Sequence, residues 1–275
     1  MTPLDRRQFV KLLGGGIVVL ITSKPTDLFG QQRRGPSYPE DPNAYLRIGE
    51  NGRVTLYSGK VEMGQGINTS LSQMAAEELG VSLDAIDIVM GDTDLVPFDQ
   101  GTWGSLTTRF YGPAVRAAAA EARTVLMKLA SEKLGVPREQ LSVANGVVSG
   151  GGKSVTYGEL AQGKAIARLV DEKAILRSAK EFKVIGKPAK RVDARDKVTG
   201  RAIYAGDIRR PGMLYARLLR PPMHGATRKS VDTSKAKAMS GVTVAEQDDL
   251  IAVLHADPEI AARAWTAIAS EWDRP

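Results

Sequence analysis

The apolar positions of the chain follow two different periods. Tyr45-Leu46-Arg47-Ile48 and Val54-Thr55-Leu56-Tyr57 alternate apolar and polar residues around Glu50-Asn51-Gly52. That pattern predicts a β-hairpin, because Asn and Gly both tolerate the positive φ of a tight turn. Leu71, Met74, Ala75 and Leu79 then recur at helical spacing, which predicts a helix over about Thr69 to Leu79 with Gly80 as its stop. Ile86 to Met90 reads as a buried strand, followed by a long loop from Gly91 to Gly112 rich in Gly, Thr, Ser and Asp. A loop of that length inside a compact domain is usually functional.

Pro113 opens the clearest helical pattern, which runs to Leu134 and closes at Gly135. Proline in the first turn and glycine past the end is the expected asymmetry. Ala117 to Ala120 give this helix a smooth face suited to close packing. Residues 136 to 160 read as short strands with a second hairpin at Asn145-Gly146. A second unit is expected from near Phe182. Its strands fall around Ala202–Ala205, Leu214–Leu219 and Ile251–His255, and a final helix runs from Asp257 or Pro258 to about Ser270.

The N-terminus has a different character. Asp5-Arg6-Arg7-Gln8-Phe9-Val10-Lys11 precedes an apolar run from Leu12 to Thr22. Paired arginines, an aromatic two places later and a short Gly-containing apolar stretch resemble a twin-arginine export signal. The run is about half the length of a membrane-spanning helix. No clear small-x-small cleavage site precedes Gly30, so the expectation includes a signal that stays attached as an anchor. The alternative is a short buried helix. Residues 1–30 are assigned to the signal and 31–42, with Pro36, Pro39 and Pro42, to an extended linker.

Composition narrows the chemistry. Hydrophobic residues make up 43% of the 275, enough for a packed core. There is no cysteine, which excludes disulfides, thiolate zinc sites and iron–sulfur clusters held within these residues. With only His224 and His255, a His-rich metal site is not expected, so any metal must arrive in a cofactor with its own ligands. Both histidines read as structural. The net charge of +7 is concentrated: Arg177 to Arg210 holds eleven Lys/Arg against four Asp/Glu. No aromatic stacking pattern accompanies that charge, so the segment reads as a solvated basic linker and not as a nucleic-acid surface.

Two segments carry candidate chemistry. Met63-Gly64-Gln65-Gly66 is followed about forty residues later by Gly101-Thr102-Trp103-Gly104-Ser105-Leu106-Thr107-Thr108. Both lead into helix N-termini, where glycines let backbone N–H groups approach an anion closely. The Thr and Ser hydroxyls add donors suited to phosphate or pterin oxygens. Neither the phosphate-loop pattern nor the Rossmann fingerprint fits, since the residue three places after Gly66 is Thr69. A lone Gly-Gln-Gly is also compatible with a tight turn that binds nothing. Glu77 and Glu78 read as helix-surface carboxylates, and Trp103 as either a pocket wall or a core residue.

As a set, Val61-Glu62-Met63-Gly64-Gln65-Gly66, Ala76-Glu77-Glu78-Leu79-Gly80 and the Gly101–Thr108 run, with Gly112 before a helix, resemble the xanthine dehydrogenase/aldehyde oxidase family. An early Gly-Gln-Gly segment behind a signal peptide is similar to the large subunit of the isoquinoline 1-oxidoreductase type. Ile185-Gly186-Lys187-Pro188, Arg191-Val192-Asp193, Lys197-Val198-Thr199-Gly200, Tyr204-Ala205-Gly206-Asp207 and Pro211-Gly212-Met213-Leu214 resemble that family's a/b hammerhead domain. Leu219-Arg220-Pro221-Pro222-Met223-His224-Gly225 follows it, with Pro222 and Gly225 as departures.

The resemblance implies an α+β fold in which a molybdopterin-binding segment, 43–180, precedes an a/b hammerhead domain, 181–275. Carried over by position, Met63, Gly64, Gln65, Thr102, Gly104, Ser105 and Thr107 would contact a molybdenum–molybdopterin cofactor, in most bacteria its cytosine dinucleotide form. Gln65 would donate to a cofactor oxygen or the metal's ligand sphere. The family hydroxylates aldehyde or N-heteroaromatic carbons with water and passes electrons to iron–sulfur clusters on a partner subunit.

No catalytic residue is assigned here. The family's general-base glutamate sits in a G-x-G-E-like segment that these residues do not contain. A second molybdenum-binding polypeptide, or a further C-terminal part, is therefore expected to complete the site, and the periplasm is the expected compartment. The competing reading is a non-catalytic module that binds cofactor or partner alone. A third is a periplasmic anion- or nucleotide-binding protein.

Overall fold

The computed structural model describes residues 16–21, 44–96, 99, 101–169 and 175–275. The fold mixes helix and sheet in two compact units, Met1–Arg201 and Ala202–Pro275.

The first unit is built on a five-stranded sheet. Its strands are β1 (Gly16–Ile21), β2 (Ala44–Ile48), β3 (Val54–Ser58), β4 (Ile86–Met90) and β8 (Ala165–Leu169), in the order β4-β3-β2-β1-β8. β2 and β3 form the expected antiparallel hairpin, pairing Ile48 with Val54 and Leu46 with Leu56. β4 lies parallel to β3. Between β3 and β4 runs helix α1 (Ile67–Leu79), closed by Gly80 in the left-handed conformation. Helix α2 (Gly112–Leu134) has its proline in the first turn and Gly135, at φ 68°, past its end. Residues 136–160 supply β5 (Ser142–Ala144), β6 (Val147–Gly150), β7 (Lys153–Thr156) and the short helix α3 (Tyr157–Ala161). The β5–β6 turn is Asn145-Gly146, with φ of 50° and 74°.

One core joins these elements. Ile17, Leu46, Ile48 and Leu56 from the sheet pack with Leu71, Ala75 and Leu79 of α1 and Ala118, Ala122 and Leu126 of α2. The alanine face lets α1 and α2 approach closely: a Cβ on Gly112 would meet Met74 Sδ at 2.8 Å. Tyr157 is buried and donates its hydroxyl to the Leu79 carbonyl at 2.6 Å, so burial pushes its phenol pKa upward.

The N-terminal apolar run takes a place that the sequence pattern did not indicate. Gly16–Ile21 is a strand inside the sheet, antiparallel to β2 and parallel to β8. Ile17, Val18 and Val19 are all fully buried, so both faces of the strand are covered. β-branched residues fit a pleated, two-sided environment better than the short helix weighed as the alternative. The rest of the signal assignment, including Arg6, Arg7 and most of the linker, lies outside the described residues.

A second difference concerns the border between units. Residues 182–201, expected to begin the second unit, pack with the first. Glu77 and Glu78, expected on the surface of α1, are both buried, and they hold this segment in place. Glu77 Oε2 accepts from three successive backbone N–H groups, those of Lys183, Val184 and Ile185, at 2.9, 2.6 and 3.0 Å. Glu78 accepts from Arg116 and Arg123 of α2 and from the Arg177 amide. Helical periodicity puts Glu78 on the face of Leu71 and Met74, at i+7 and i+4, where a carboxylate needs partners, and sets Glu77 at that face's edge. It cannot reveal a segment returning from a hundred residues downstream.

The second unit contains β9 (Tyr215–Leu218), β10 (Thr227–Asp232), β11 (Thr243–Gln247), β12 (Leu250–His255) and β13 (Ala269–Asp273). β12 lies between β11 and β9, and β10 pairs with β13. No strand forms at Ala202–Ala205; a 3-10 turn occupies Ala205–Asp207 instead. The last helix, Pro258–Thr266, stops four residues before Ser270. Beyond it, Ile268, Ser270 and Trp272 alternate with more exposed neighbours, and that period of two wins over the helix propensity of the alanines. His255 Nδ1 accepts from the Asp257 amide at 2.8 Å, beside the N-terminus of the last helix.

Candidate functional site

The two candidate loops meet. Strand β3 ends at Ser58, and the chain passes through Lys60, Val61 and Glu62 into the Gly64-Gln65-Gly66 turn. The Val61 amide donates to Thr102 Oγ1 at 2.8 Å. One residue earlier, the buried Lys60 ammonium donates to Asp99 Oδ1 at 2.8 Å and to the Gly101 carbonyl at 2.9 Å. Asp99 Oδ1 also accepts from the Gly101 amide, which folds the second loop back on itself. The loops are thus joined by a buried ion pair and two hydrogen bonds to polar partners.

The first loop is organised around Glu62. Its carboxylate accepts from the N–H groups of Gly64 and Gly66 at 2.8 and 2.9 Å, and from Asn68 in the first turn of α1 at 3.1 Å. A negative charge at a helix N-terminus is favourable. Burial opposes ionisation of Glu62, but donation from Gly66, Asn68 and Gly64, with the Arg191 charge, outweighs it. The carboxyl is held below its ordinary range. Gly64 and Gly66 have φ of 108° and 84°, which turns their amides inward onto this carboxylate.

This corrects one expectation. The N–H groups that the sequence offers to a phosphate at this turn are already taken by the chain's own carboxylate. Gln65 is similarly engaged. Its Oε1 accepts from the Met63 amide at 2.6 Å and its Nε2 donates to the Val61 carbonyl at 3.0 Å. A side-chain amide can satisfy a tight turn in this way, and here it closes the loop instead of projecting toward a ligand. Met63 is two-thirds exposed on the loop's rim.

The second loop is different. Gly101 and Gly104 have positive φ, and Ser105 itself sits in the left-handed region at φ 55°. That conformation is costly for a residue with a side chain and clusters at ligand-binding sites. Residues Thr107–Tyr111 then form a π-helical turn that leads directly into α2, with no side chain capping its start. The π-turn is rare and is found disproportionately at functional sites. Thr107 is buried in it, while Gly104 and Ser105 are exposed. Trp103 is half-exposed and not part of the core, because it lies in a turn between two positive-φ glycines.

A strap from the 185–200 segment crosses the first loop. Arg191 Nη1 donates to the Gly64 carbonyl at 2.8 Å, and the same guanidinium lies 3.5 Å from Glu62. Arg191 also grips Asp193 with two bonds, and Lys197 pairs with Asp193 at 2.6 Å. Hydrogen bonds from Arg191, then from Lys197, hold the Asp193 carboxyl well below the usual range. The Val192 amide donates to Thr69 Oγ1, and Gln73 donates to the Val184 and Lys187 carbonyls.

Lys60, Glu62, Asn68, Asp99 and Arg191 belong to the site and were not singled out from the sequence. For Glu62 a signal existed: a carboxylate two residues before the first of two closely spaced glycines, at the mouth of a helix. For the Lys60–Asp99 pair no local pattern could have served, since the partners are 39 residues apart. Two buried acceptors near the loops, Asn68 Oδ1 and Asp99 Oδ2, have no hydrogen-bond partner among the described residues.

Two tied loops, each opening a helix and one held in strained geometry, define a cofactor-binding module. The chain belongs to the molybdopterin cofactor-binding domain family, which matches residues 5–204. It is 33% identical over 248 residues to the second of the nicotinate dehydrogenase subunits of Pseudomonas putida, covering 89% of this chain and 21% of that protein. It is 31% identical over 242 residues to the beta chain of isoquinoline 1-oxidoreductase from Brevundimonas diminuta, covering 73% and 31%. It is 30% identical over 278 residues to the membrane-bound aldehyde dehydrogenase [pyrroloquinoline-quinone] of Gluconacetobacter polyoxogenes, covering 98% and 35%. The chain spans 21% to 35% of the length of these relatives.

Proposed function

We propose that this chain is the cofactor-binding portion of a molybdenum hydroxylase that oxidises an aldehyde or N-heteroaromatic carbon with oxygen from water. The single observation that carries the reading is the meeting of the Gly64–Gly66 and Gly101–Thr108 loops through Lys60, Thr102 and Asp99. The family match names the cofactor these loops would hold.

The residues fit the group, with a division of labour the geometry suggests. The phosphate end belongs at the second loop, where the start of the π-turn is uncapped and the Ser105 hydroxyl is exposed. A Cβ built on Gly64 or Gly66 would meet nothing within 4 Å, so the first loop leaves open space above its backbone. Asn68 Oδ1 and Asp99 Oδ2, without a hydrogen-bond partner among the described residues, suit the N–H edge of a pterin or a nucleobase. Gly104 and Met63 line the two rims, Thr107 supports the second from beneath, Thr102 ties them, and Gln65 acts by holding the shape of its turn. When bound, the molybdenum centre supplies the oxygen-transfer and redox chemistry. This chain's part is to bind and orient it.

The cytosine dinucleotide form, an iron–sulfur partner subunit and a second molybdenum-binding segment carrying the general base complete the proposal. So does an a/b hammerhead assignment for the residues after 181. The names of the relatives support a multi-subunit enzyme, since two of them are designated subunits. Export by the twin-arginine route is supported by Arg6-Arg7 and the apolar run after them. The form compatible with β1 is one that keeps Gly16–Ile21 in the folded protein, since removing them would take a strand from between β2 and β8.

The test is metal and pterin-nucleotide analysis of the complex purified with its natural partners. The reading requires bound molybdenum in the wild type and its loss in Gly64→Val and Ser105→Ala. Full molybdenum content in both variants contradicts it.

A further inference from the structure

We infer that Lys60 and Asp99 are a positioning pair that fixes the spacing between the two cofactor loops before any cofactor arrives. The inference rests on the cofactor reading above and adds a residue-level device to it.

Lys60 is 1% exposed, and the two side chains of the pair are 2% and 1% exposed. Taking an ammonium and a carboxylate out of water costs more than an apolar pair of similar volume would. Core packing alone therefore gives no reason for these two residues. What the pair does that an apolar pair could not is directional. The ammonium bonds the Asp99 carboxylate and the Gly101 carbonyl at 2.8 and 2.9 Å, while the same carboxylate oxygen accepts from the Gly101 amide. The start of the second loop is thereby fixed in angle as well as distance.

The register of the neighbouring residues makes the pair consequential. Lys60 and Val61 both bond the second loop, and Glu62 bonds the first. Three consecutive residues thus couple the two turns, with only one backbone residue, Val61, between the ammonium-bearing residue and the carboxylate that gathers the Gly64, Gly66 and Asn68 amides. A shift at Lys60 is transmitted to both loops. Asp99 keeps its second oxygen, Oδ2, buried and without a hydrogen-bond partner among the described residues. An orphaned acceptor of this kind is costly unless a ligand donor completes it.

The pair is tested in the assembled complex with Lys60→Met, Asp99→Asn, Lys60→Arg and the double variant Lys60→Met/Asp99→Leu. Two readouts are taken: hydrogen exchange of the Val61 amide in cofactor-free complex, and molybdenum retained after purification. The Val61 amide reports the loop junction directly and needs no cofactor. Lys60→Met and Asp99→Asn are expected to speed its exchange by about tenfold, the loss of roughly one hydrogen bond's protection. Lys60→Arg is expected to restore most of it. The double variant separates positioning from stability, because replacing both charges by apolar residues recovers the melting temperature while Val61 exchange stays fast and molybdenum stays low. Val61 protection that simply follows melting temperature across all four variants overturns the inference. Fast Val61 exchange with full molybdenum content leaves the pair as a junction but refutes the cofactor reading on which its role depends.

Discussion

The Val61 amide and the Thr102 hydroxyl, 41 residues apart in sequence, lie 2.8 Å from each other and join the two glycine-bearing loops of this chain. A backbone donor on one loop is thus completed by a side chain of the other. The proposed cofactor role needs the two loops held together, and this bond is one of the contacts that holds them.

The Glu78 carboxylate is fully buried and is held by Arg116, Arg123 and the Arg177 amide. Replacing it by Ala leaves two guanidinium groups, only about a fifth exposed, without their anion. Breaking a buried pair from one side costs about 3 kcal/mol. The expected outcome is an unfolding free energy, from urea titration, lowered by that amount in Glu78→Ala, with residues 175–187 becoming protease-sensitive. Wild-type stability would show that the clamp adds nothing.

Ser105 carries φ 55° at the head of the π-turn. Ser105→Gly should relieve about 1 kcal/mol of backbone strain and raise the melting temperature slightly. The same change removes an exposed hydroxyl from the proposed phosphate end, so molybdenum retention should fall. Stability and retention moving together would remove the functional meaning of the strain.

Strand β1 offers a sharp check. Val18 is fully buried between neighbours on both sides, and Val18→Asp places an unpaired charge there at a cost of about 4 kcal/mol or more. The first unit is expected to unfold. Intact-mass analysis of the mature protein should still include residues 16–21. A mature N-terminus beyond Ile21 with full stability would contradict the placement of this strand.

Much of the first unit was legible in the sequence, because its elements announce themselves locally. The hairpin at Asn51-Gly52, the stop at Gly80 and the Pro113 and Gly135 pair all fall where alternation and capping rules put them. The apolar run after Arg6-Arg7 suits a leader and an interior strand equally well, so its pattern alone could not announce that Gly16–Ile21 pairs with β2 and β8. Glu77 and Glu78 misled because their partners arrive from Arg116, Arg123 and residues 177–185, which no window of helical length can contain. At the site, the glycines and hydroxyls of both loops could be read directly. The carboxylate of Glu62, which occupies the first anion hole, could not be assigned until its three N–H donors were placed around it.

Acid should loosen the strap before it unfolds the core. Glu62 and Asp193 both have folded-state pKa values below their unfolded ones. Groups of that kind contribute their full stability above about pH 4, near the ordinary carboxylate values. The contribution is lost as pH falls through the lowered folded values. Exchange at the Gly64, Gly66 and Asn68 amides, corrected for intrinsic rate, is therefore expected to rise below about pH 4 while the α2 amides stay protected. Simultaneous loss across both sets would place the effect in global unfolding.

The most direct test of the central claim compares hydrogen exchange in the purified complex with and without its molybdenum–pterin cofactor. Segments 61–68 and 101–108 are the ones to follow. Both are expected to slow together when cofactor is present, with the larger change at Ser105–Thr108. Protection of only one segment, or of neither, would contradict a cleft shared by the two loops.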